Sequence, residues 1–241
     1  MYFSWIIPTY NEENRIEKTI REVAAYLDAK HFEYEIIVAD SASKDNTRNI
    51  VRRLTSEFSR LRLVEARNRG KGFAVKNGML SAKGDIRLFS DADNSTAPHY
   101  CDAMIPFFQR GYDVVISSRN WKDASGARRD VKEPWHREIL GKVGNLLIQL
   151  IGVWGIWDTQ NGFKAFTAKV AEDIFSAICI YGWAFDNEAL AIAKQRRYRV
   201  GIIPVVWHYE TDSKVTWRVY AEVLRDVFRI RWNLITRKYK I

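Results

Sequence analysis

The sequence predicts an α/β fold in which a mostly parallel sheet is flanked by helices. Two observations carry that prediction. Short apolar runs alternate with stretches whose apolar residues recur at helical spacing, the rhythm of successive βα units. Three of the runs are followed at once by Pro8, Asp40 and Asp91, and in parallel sheets ligands sit outside the carboxyl ends of the strands.

Taken in order, residues 2–7 form an apolar strand closed by Pro8, and residues 14–27 follow as a helix with Ile16, Ile20, Val23, Ala24 and Leu27 on one face. Residues 34–39 repeat the pattern, with a polar turn over 40–46 and a helix through Ile50, Val51, Leu54 and Phe58. A third strand covers 61–64. The glycine-rich Arg69-Gly70-Lys71-Gly72 opens a helix over 71–80, and strands follow at 85–90 and 113–118. The rhythm stops after Arg119: residues 121–135 are polar, charged and aromatic, with Gly126 and Pro134, and predict a mobile lid-like loop. Residues 139–154 place Ile139, Val143, Leu146, Leu147, Leu150, Ile151 and Trp154 on one face, an amphipathic helix too polar to span a membrane. The last helical pattern, 216–241, has seven basic and two acidic residues, a net +5. It reads either as a membrane-surface helix or as a solvated helix packed on its own domain.

The chain therefore divides into one domain over 1–215, which includes the helix at 139–154, and a basic amphipathic helix over 216–241. Its 241 residues suffice for a substantial core, and 47% hydrophobic with 28% charged residues exclude a disordered chain. A net charge of +9 favours anionic partners: phosphates, nucleic acid or anionic lipid. Nucleic acid is the poorest fit, because the basic residues gather in the terminal helix and not among exposed aromatics. Cys101 and Cys179 lie far apart and near no paired histidines, so neither a zinc site nor a disulfide framework is indicated. No charged segment and apolar run precede the first strand, which predicts no signal peptide.

The chemistry centres on Ser90-Asp91-Ala92-Asp93, where a strand runs into a loop. Side chains two apart on an extended chain point the same way, so Asp91 and Asp93 can converge on one cation. Mg²⁺ and Mn²⁺ favour oxygen ligands, and Mg²⁺ commonly takes only one or two carboxylates alongside substrate phosphates. By itself an Asp-x-Asp is more often a solvated acidic turn.

Several stretches lift the motif above that bland reading: Ile7-Pro8-Thr9-Tyr10-Asn11-Glu12, Asp40-Ser41-Ala42-Ser43-Lys44-Asp45-Asn46-Thr47, Arg69-Gly70-Lys71-Gly72, Ser90-Asp91-Ala92-Asp93, Asp158-Thr159-Gln160-Asn161-Gly162-Phe163-Lys164-Ala165-Phe166, Trp183-Ala184-Phe185-Asp186-Asn187-Glu188 and Ser213-Lys214-Val215. In this order they resemble the family 2 glycosyltransferases of the GT-A, Rossmann-like fold. The last three sharpen the resemblance to the dolichyl-phosphate β-glucosyltransferases, with the dolichyl-phosphate mannose synthases close relatives.

That resemblance implies that Pro8, Tyr10, Glu12 and Asp40 hold the uridine or other nucleoside of a sugar donor. It implies that Asp91 and Asp93 bind Mg²⁺ or Mn²⁺ on the diphosphate, and that Arg119 and Arg137 are cations for phosphate groups. Lys71, Gln160, Lys164 and Lys214 complete the expected binding set, with Lys71 equally readable as part of a surface turn. Arg119, Arg137, Lys164 and Lys214 alternatively clamp an anionic acceptor or are surface charges. Two departures stand out: the family's usual Asp-Asp-Gly-Ser turn reads Asp40-Ser41-Ala42-Ser43, and Asn161 stands where the glucosyltransferases commonly have cysteine. Their amino-terminal membrane anchor has no counterpart in the sequence.

Asp186 and Glu188 have three readings: a catalytic base, a group that orients the acceptor, or acids favoured at a helix start by the dipole. A sugar hydroxyl acceptor needs a base, whereas a lipid monophosphate with a second pKa of about 6 does not. His208 reads as structural. The resemblance thus implies an inverting hexosyltransferase, with UDP-glucose favoured as donor and a polyprenyl phosphate as acceptor. It is expected to work peripherally at the cytoplasmic face of a membrane. Mannosyl transfer from GDP-mannose and extension of a saccharide are the enzymatic alternatives; a nucleic-acid-binding module and a membrane adaptor are the others.

Overall fold

A computed structural model describes residues 1–66, 68–129, 144–149, 153–207 and 217–239. The chain runs β1 (Tyr2–Thr9), α1 (Ile16–Ala29), β2 (Glu33–Ser41), α2 (Thr47–Leu54), β3 (Leu61–Ala66), α3 (Lys71–Ser81), β4 (Ile86–Ser90), α4 (Cys101–Gln109) and β5 (Val114–Ser118). It continues through β6 (Arg128–Arg129), β7 (Phe163–Thr167), α5 (Ala168–Ala177), α6 (Phe185–Gln195), β8 (Val200–Pro204), β9 (Val206–Trp207) and α7 (Trp217–Ile235). The main sheet has seven strands in the order β3-β2-β1-β4-β7-β5-β8. The alternation read from the sequence is realised as α/β layers, because neighbouring strand residues bury on opposite faces. Trp5, Ile7, Val38 and Leu88 pack with Ile20, Val23 and Met104 on one side. Ile6, Ile37, Ala39 and Phe89 pack with Val75, Ile174 and Leu190 on the other.

β1 lies between β2 and β4, so the chain winds outward to β3 and then returns to the far side of β1. That reversal is a topological switch point, and it opens a crevice beyond the carboxyl ends of β1 and β4. Pro8 lies past Ile6, the last β1 residue in register with β4, so its missing N–H costs no pairing on that side.

The sheet is more mixed than expected. β7 runs antiparallel between β4 and β5, with Ser90 opposite Phe163 and Ile116 opposite Lys164. An antiparallel insert starts where its neighbour ends, so the first residues of β7 reach the same edge as the end of β4.

Two further expectations change in detail. Of the helix predicted over 139–154, residues 144–149 are helical, Trp154 and Gly155 form a turn, and 139–143 and 150–152 lie outside the described residues. The Gln149 side-chain carbonyl accepts from the Gly155 N–H at 2.8 Å, and Val153 is fully buried. Of the predicted lid, residues 121–129 are tied down: Asp123 accepts from the Ser118 hydroxyl and the Trp157 and Asp158 N–H groups, while β6 pairs with β9. Arg137, His208 and Lys214 lie outside the described residues.

α7 buries Val227 and Ile230 in the same core as α5 and α6, and Tyr239 beyond it is 2% exposed.

Candidate active site

The nucleoside-side residues come from two interlocked turns. Asp40, next to last in β2, has no exposed surface and accepts from the Ser43 N–H at 3.0 Å and the Thr9 hydroxyl at 3.3 Å. The turn it closes grips the loop after β1: Asn11 N–H donates to Ser43 Oγ, and Lys44 N–H to Asn11 Oδ1. Asn11 and Ala42 both take left-handed backbone, φ 55° and 58°. Asn tolerates that region, but Ala pays about 1–2 kcal/mol for it. This explains the departure in the turn, since Ala42 holds without a glycine a conformation that glycine adopts freely. Ser41 is buried and accepts from the Gly70 N–H at 2.7 Å, so it holds the glycine-rich turn. The Arg69 guanidinium covers the Tyr10 ring at 4.2 Å. Glu12 pairs with Arg15 at 2.7 Å beside the start of α1.

The metal-motif residues meet the rest of the site at the end of β4. Trp5 Nε1 donates to Ser90 Oγ at 2.8 Å, which fixes the last strand residue before Asp91. Asp91 N–H donates to the Gly162 carbonyl, and a Cβ on Gly162 would lie 2.1 Å from Asp91 Oδ2. The glycine is therefore the floor on which the Asp91 carboxylate rests. Lys71, first residue of α3, places Nζ 2.6 Å from Asp91 Oδ1. Gly70 before it takes φ 142°, and a Cβ there would run into the Tyr181 carbonyl at 2.3 Å. Asp93 Oδ1 accepts from the Ser95 N–H at 2.9 Å.

Behind this pair is a buried ion pair. Lys164, with no exposed surface, donates to Asp186 Oδ1 at 2.8 Å and to the Asn161 carbonyl. Burial pushes the Asp186 carboxyl above its ordinary range, and Lys164 and Lys71 only partly offset that. Burial pulls Lys71 down, but Asp91, Asp186 and Asp93 outweigh it and hold the ammonium above its ordinary value. Asp91, Asp93, Asp186, Lys71 and Lys164 thus form one electrostatic unit of three carboxylates and two ammonium groups.

Four more of the expected site residues have partners or positions within the protein. Lys164 is turned to Asp186 and the core. Arg119 binds Asp158 through two parallel N–H contacts, both 2.8 Å, and braces β5 against the 158–162 turn. Gln160 is exposed on that turn. Glu188 has no exposed surface: it accepts from the Cys179 and Ile180 N–H groups, the Cys179 thiol and the Tyr239 hydroxyl at 2.6 Å. Glu188 stands in the first turn of α6, and its carboxylate holds the loop before that helix. Ser41, Asp158 and Gly162 were missed as site residues, although each stood inside a quoted motif; what hid them is that their partners lie 29, 39 and 71 residues away.

The donor set suits a hard cation. Asp91 and Asp93 offer carboxylate oxygens, and the described residues hold no group of three or more His, Cys, Asp or Glu side chains fit for a metal. Two carboxylates are what Mg²⁺-type ions take when phosphates and water complete the shell.

A model of glycosyl transferase family 2 matches residues 4–175. A dolichyl-phosphate beta-glucosyltransferase of Trichomonas vaginalis is 35% identical, the match covering 95% of this chain and 71% of that one. The dolichyl-phosphate beta-glucosyltransferase of Dictyostelium discoideum is 33% identical over 100% of this chain and 77% of its own, and that of Drosophila melanogaster 34% over 99% and 77%. The fold is shared with glucosyl-3-phosphoglycerate synthase of Mycobacterium tuberculosis, solved in complex with Mn²⁺, UDP and phosphoglyceric acid. That chain superposes with a TM-score of 0.70 at 18% identity, over 98% of this chain and 78% of that one.

Proposed function

The chain belongs to glycosyltransferase family 2, and from that premise we propose that it transfers glucose from UDP-glucose to dolichyl phosphate or a related polyprenyl phosphate, with inversion at the anomeric carbon. The observation that carries the reading is the placement of Asp40 and Asp91 at the carboxyl edge of the sheet, with Lys71 paired to Asp91 and lying in the field of Asp93. Supporting it are relatives of that name aligned over nearly the whole chain.

In this reading the interlocked turns around Asp40 seat the nucleoside. Asp91 and Asp93 hold Mg²⁺ or Mn²⁺, which when bound offsets the charge that grows on the departing diphosphate. Lys71 adds a fixed positive charge beside the same oxygens. The acceptor phosphate attacks C1 through an oxygen that is already deprotonated near neutrality. The new C1–O bond forms as the bond to the diphosphate breaks, and UDP leaves with that electron pair. No side chain has to take a proton. Asp186 then serves, through Lys164 and Lys71, to keep the Asp91 carboxylate in place. The acceptor's tail stays in the bilayer, so the enzyme works at a membrane surface, on its cytoplasmic face; no helix among the described residues is long and apolar enough to cross a membrane.

One observation favours a second reading. Burial raises the Asp186 carboxyl toward the range of a general base, which suits a family 2 enzyme extending a saccharide. The deciding experiment incubates the protein with UDP-glucose, other UDP-sugars and GDP-mannose against a short polyprenyl phosphate and an oligosaccharide, with and without Mn²⁺ or Mg²⁺, and identifies the product by mass. A glucosylated lipid phosphate formed only with metal is the expected result. Elongated saccharide with no lipid product overturns the proposal.

A further inference from the structure

We infer that α7 carries a second apolar face that docks on an anionic phospholipid bilayer. The inward face of the helix is accounted for: Val227 and Ile230 are buried in the core, with Val223 and Leu234 packed against it. Leu224, Phe228, Trp232 and Ile235 nevertheless point outward and are 39%, 55%, 66% and 61% exposed. Their spacing of four, four and three residues places them within about 80° of the helix circumference. They form one continuous stripe about three turns long, unlike the scattered apolar residues normal on a protein surface.

Charge identifies the occupant. Arg231 borders the stripe on one side, and Arg225 and Arg229 border it on the other, all exposed. Neither acid of the helix lies on the stripe: Asp226 is buried on the inward side, where its Oδ1 accepts from the Arg225 guanidinium at 3.3 Å, and Glu222 lies about 160° round from Leu224, so Arg229 and Arg231 carry most of the border charge. An apolar stripe with cations along both borders matches a bilayer whose headgroups are anionic, the apolar groups entering the acyl boundary while the guanidinium groups meet phosphate. A second copy of this chain would set these arginines against their own kind. The inference deepens the proposed function by naming the surface that brings the site to a lipid-borne acceptor. It stands apart from the chemistry, because membrane docking needs neither donor nor acceptor.

The test uses the full chain and vesicles of phosphatidylcholine with phosphatidylserine, containing no polyprenyl phosphate, with sedimentation as the readout. Wild-type protein should partition onto these vesicles, far less onto pure phosphatidylcholine, and be partly released by salt. The double variant Phe228→Ser/Trp232→Ser should lose about tenfold or more in partitioning, with an unchanged melting temperature because both side chains are outside the core. Arg225→Gln/Arg229→Gln/Arg231→Gln should lose the preference for phosphatidylserine. Transfer to a short, water-soluble acceptor phosphate should survive in both, so a wild type that docks without transferring would refute the proposed activity and leave this inference standing. Partitioning of the serine variant equal to wild type overturns the inference. So does a wild type that ignores vesicles and dissociates from dimer to monomer on the serine substitutions.

Discussion

Lys71 Nζ lies 2.6 Å from Asp91 Oδ1, so an ammonium group already occupies one oxygen of the carboxylate that the metal motif presents. A dication at Asp91 must share that oxygen with Lys71 or displace it, and the two positive charges repel. Lys71→Met is therefore expected to tighten Mn²⁺ binding about three- to tenfold when no nucleotide is present, a small fraction of the bare Coulomb energy because both groups are partly exposed. With donor bound the sign reverses, since the diphosphate loses a counter-charge and turnover should fall. Calorimetry of Mn²⁺ binding, set beside kcat, checks both halves.

Asp93→Ala should lower transfer more than about a hundredfold, as expected when the charge on the leaving group is no longer offset. The loop carboxylate supports no core residue, so the melting temperature should hold. Chelation of wild-type protein should give the same loss and be reversed by Mn²⁺ or Mg²⁺. Turnover that survives thorough chelation would remove the metal from the reaction.

Gly162→Ala is a sharper probe of the same ion. The added methyl meets the mobile end of Asp91, so the chain can relieve the clash by swinging the carboxylate aside. Stability should change by less than about 1 kcal/mol, a shift of about 2–4 °C, while metal-dependent turnover falls at least about tenfold. A large drop in melting temperature with normal turnover would mean that the carboxylate keeps its place and the backbone has moved.

Asp40 calls for two substitutions. Asp40→Ala strands the Ser43 N–H and the Thr9 hydroxyl, buried donors whose loss of partner costs about 1–3 kcal/mol each. Asp40→Asn keeps an acceptor and should stay close to wild-type stability. Both should weaken nucleotide binding and raise KM more than they lower kcat. Unchanged UDP affinity in the asparagine variant rejects the nucleoside role.

The pH profile separates the two acceptor readings. A phosphate acceptor gives an acid limb set by its own second pKa of about 6, and this limb should persist in Asp186→Asn. If Asp186 is the base, its raised carboxyl defines the limb: activity falls as pH drops through that pKa, and the asparagine variant loses both limb and rate.

The strand ends that bear Pro8, Asp40 and Asp91 were legible because each βα unit is local: the apolar run, the turn and the helix lie within some thirty residues. β7 was not legible as a strand, since Phe163-Lys164-Ala165-Phe166-Thr167 has no flanking hairpin and takes its place from partners at Ile86–Ser90 and Val114–Ile116. The same distance hid the Arg119 contact with Asp158, which braces β5 against the 158–162 turn. Lys164 was legible as important but not as buried, because a lysine in a strand gives no sign that Asp186 will meet it from another element. In α7 the helical period was plain, but two apolar stripes share it, and only packing decides which faces the core.

The bond between Tyr239 and Glu188 sets an order of events during synthesis. Glu188 sits in the first turn of α6, two residues from Asp186, and one of its four partners is encoded 51 residues later. Domains fold as units while the ribosome extends them from the amino terminus. A nascent chain that has not yet released residue 239 leaves the Glu188 carboxylate short of a donor, and lacks Tyr239 from the core that Val227 and Ile230 help build. The sheet edge with Asp40 and Asp91 can assemble early, but α6 beside it gains its last partner only when the residues after α7 emerge, so a ribosome stalled within α7 would expose a nearly complete site on an open core.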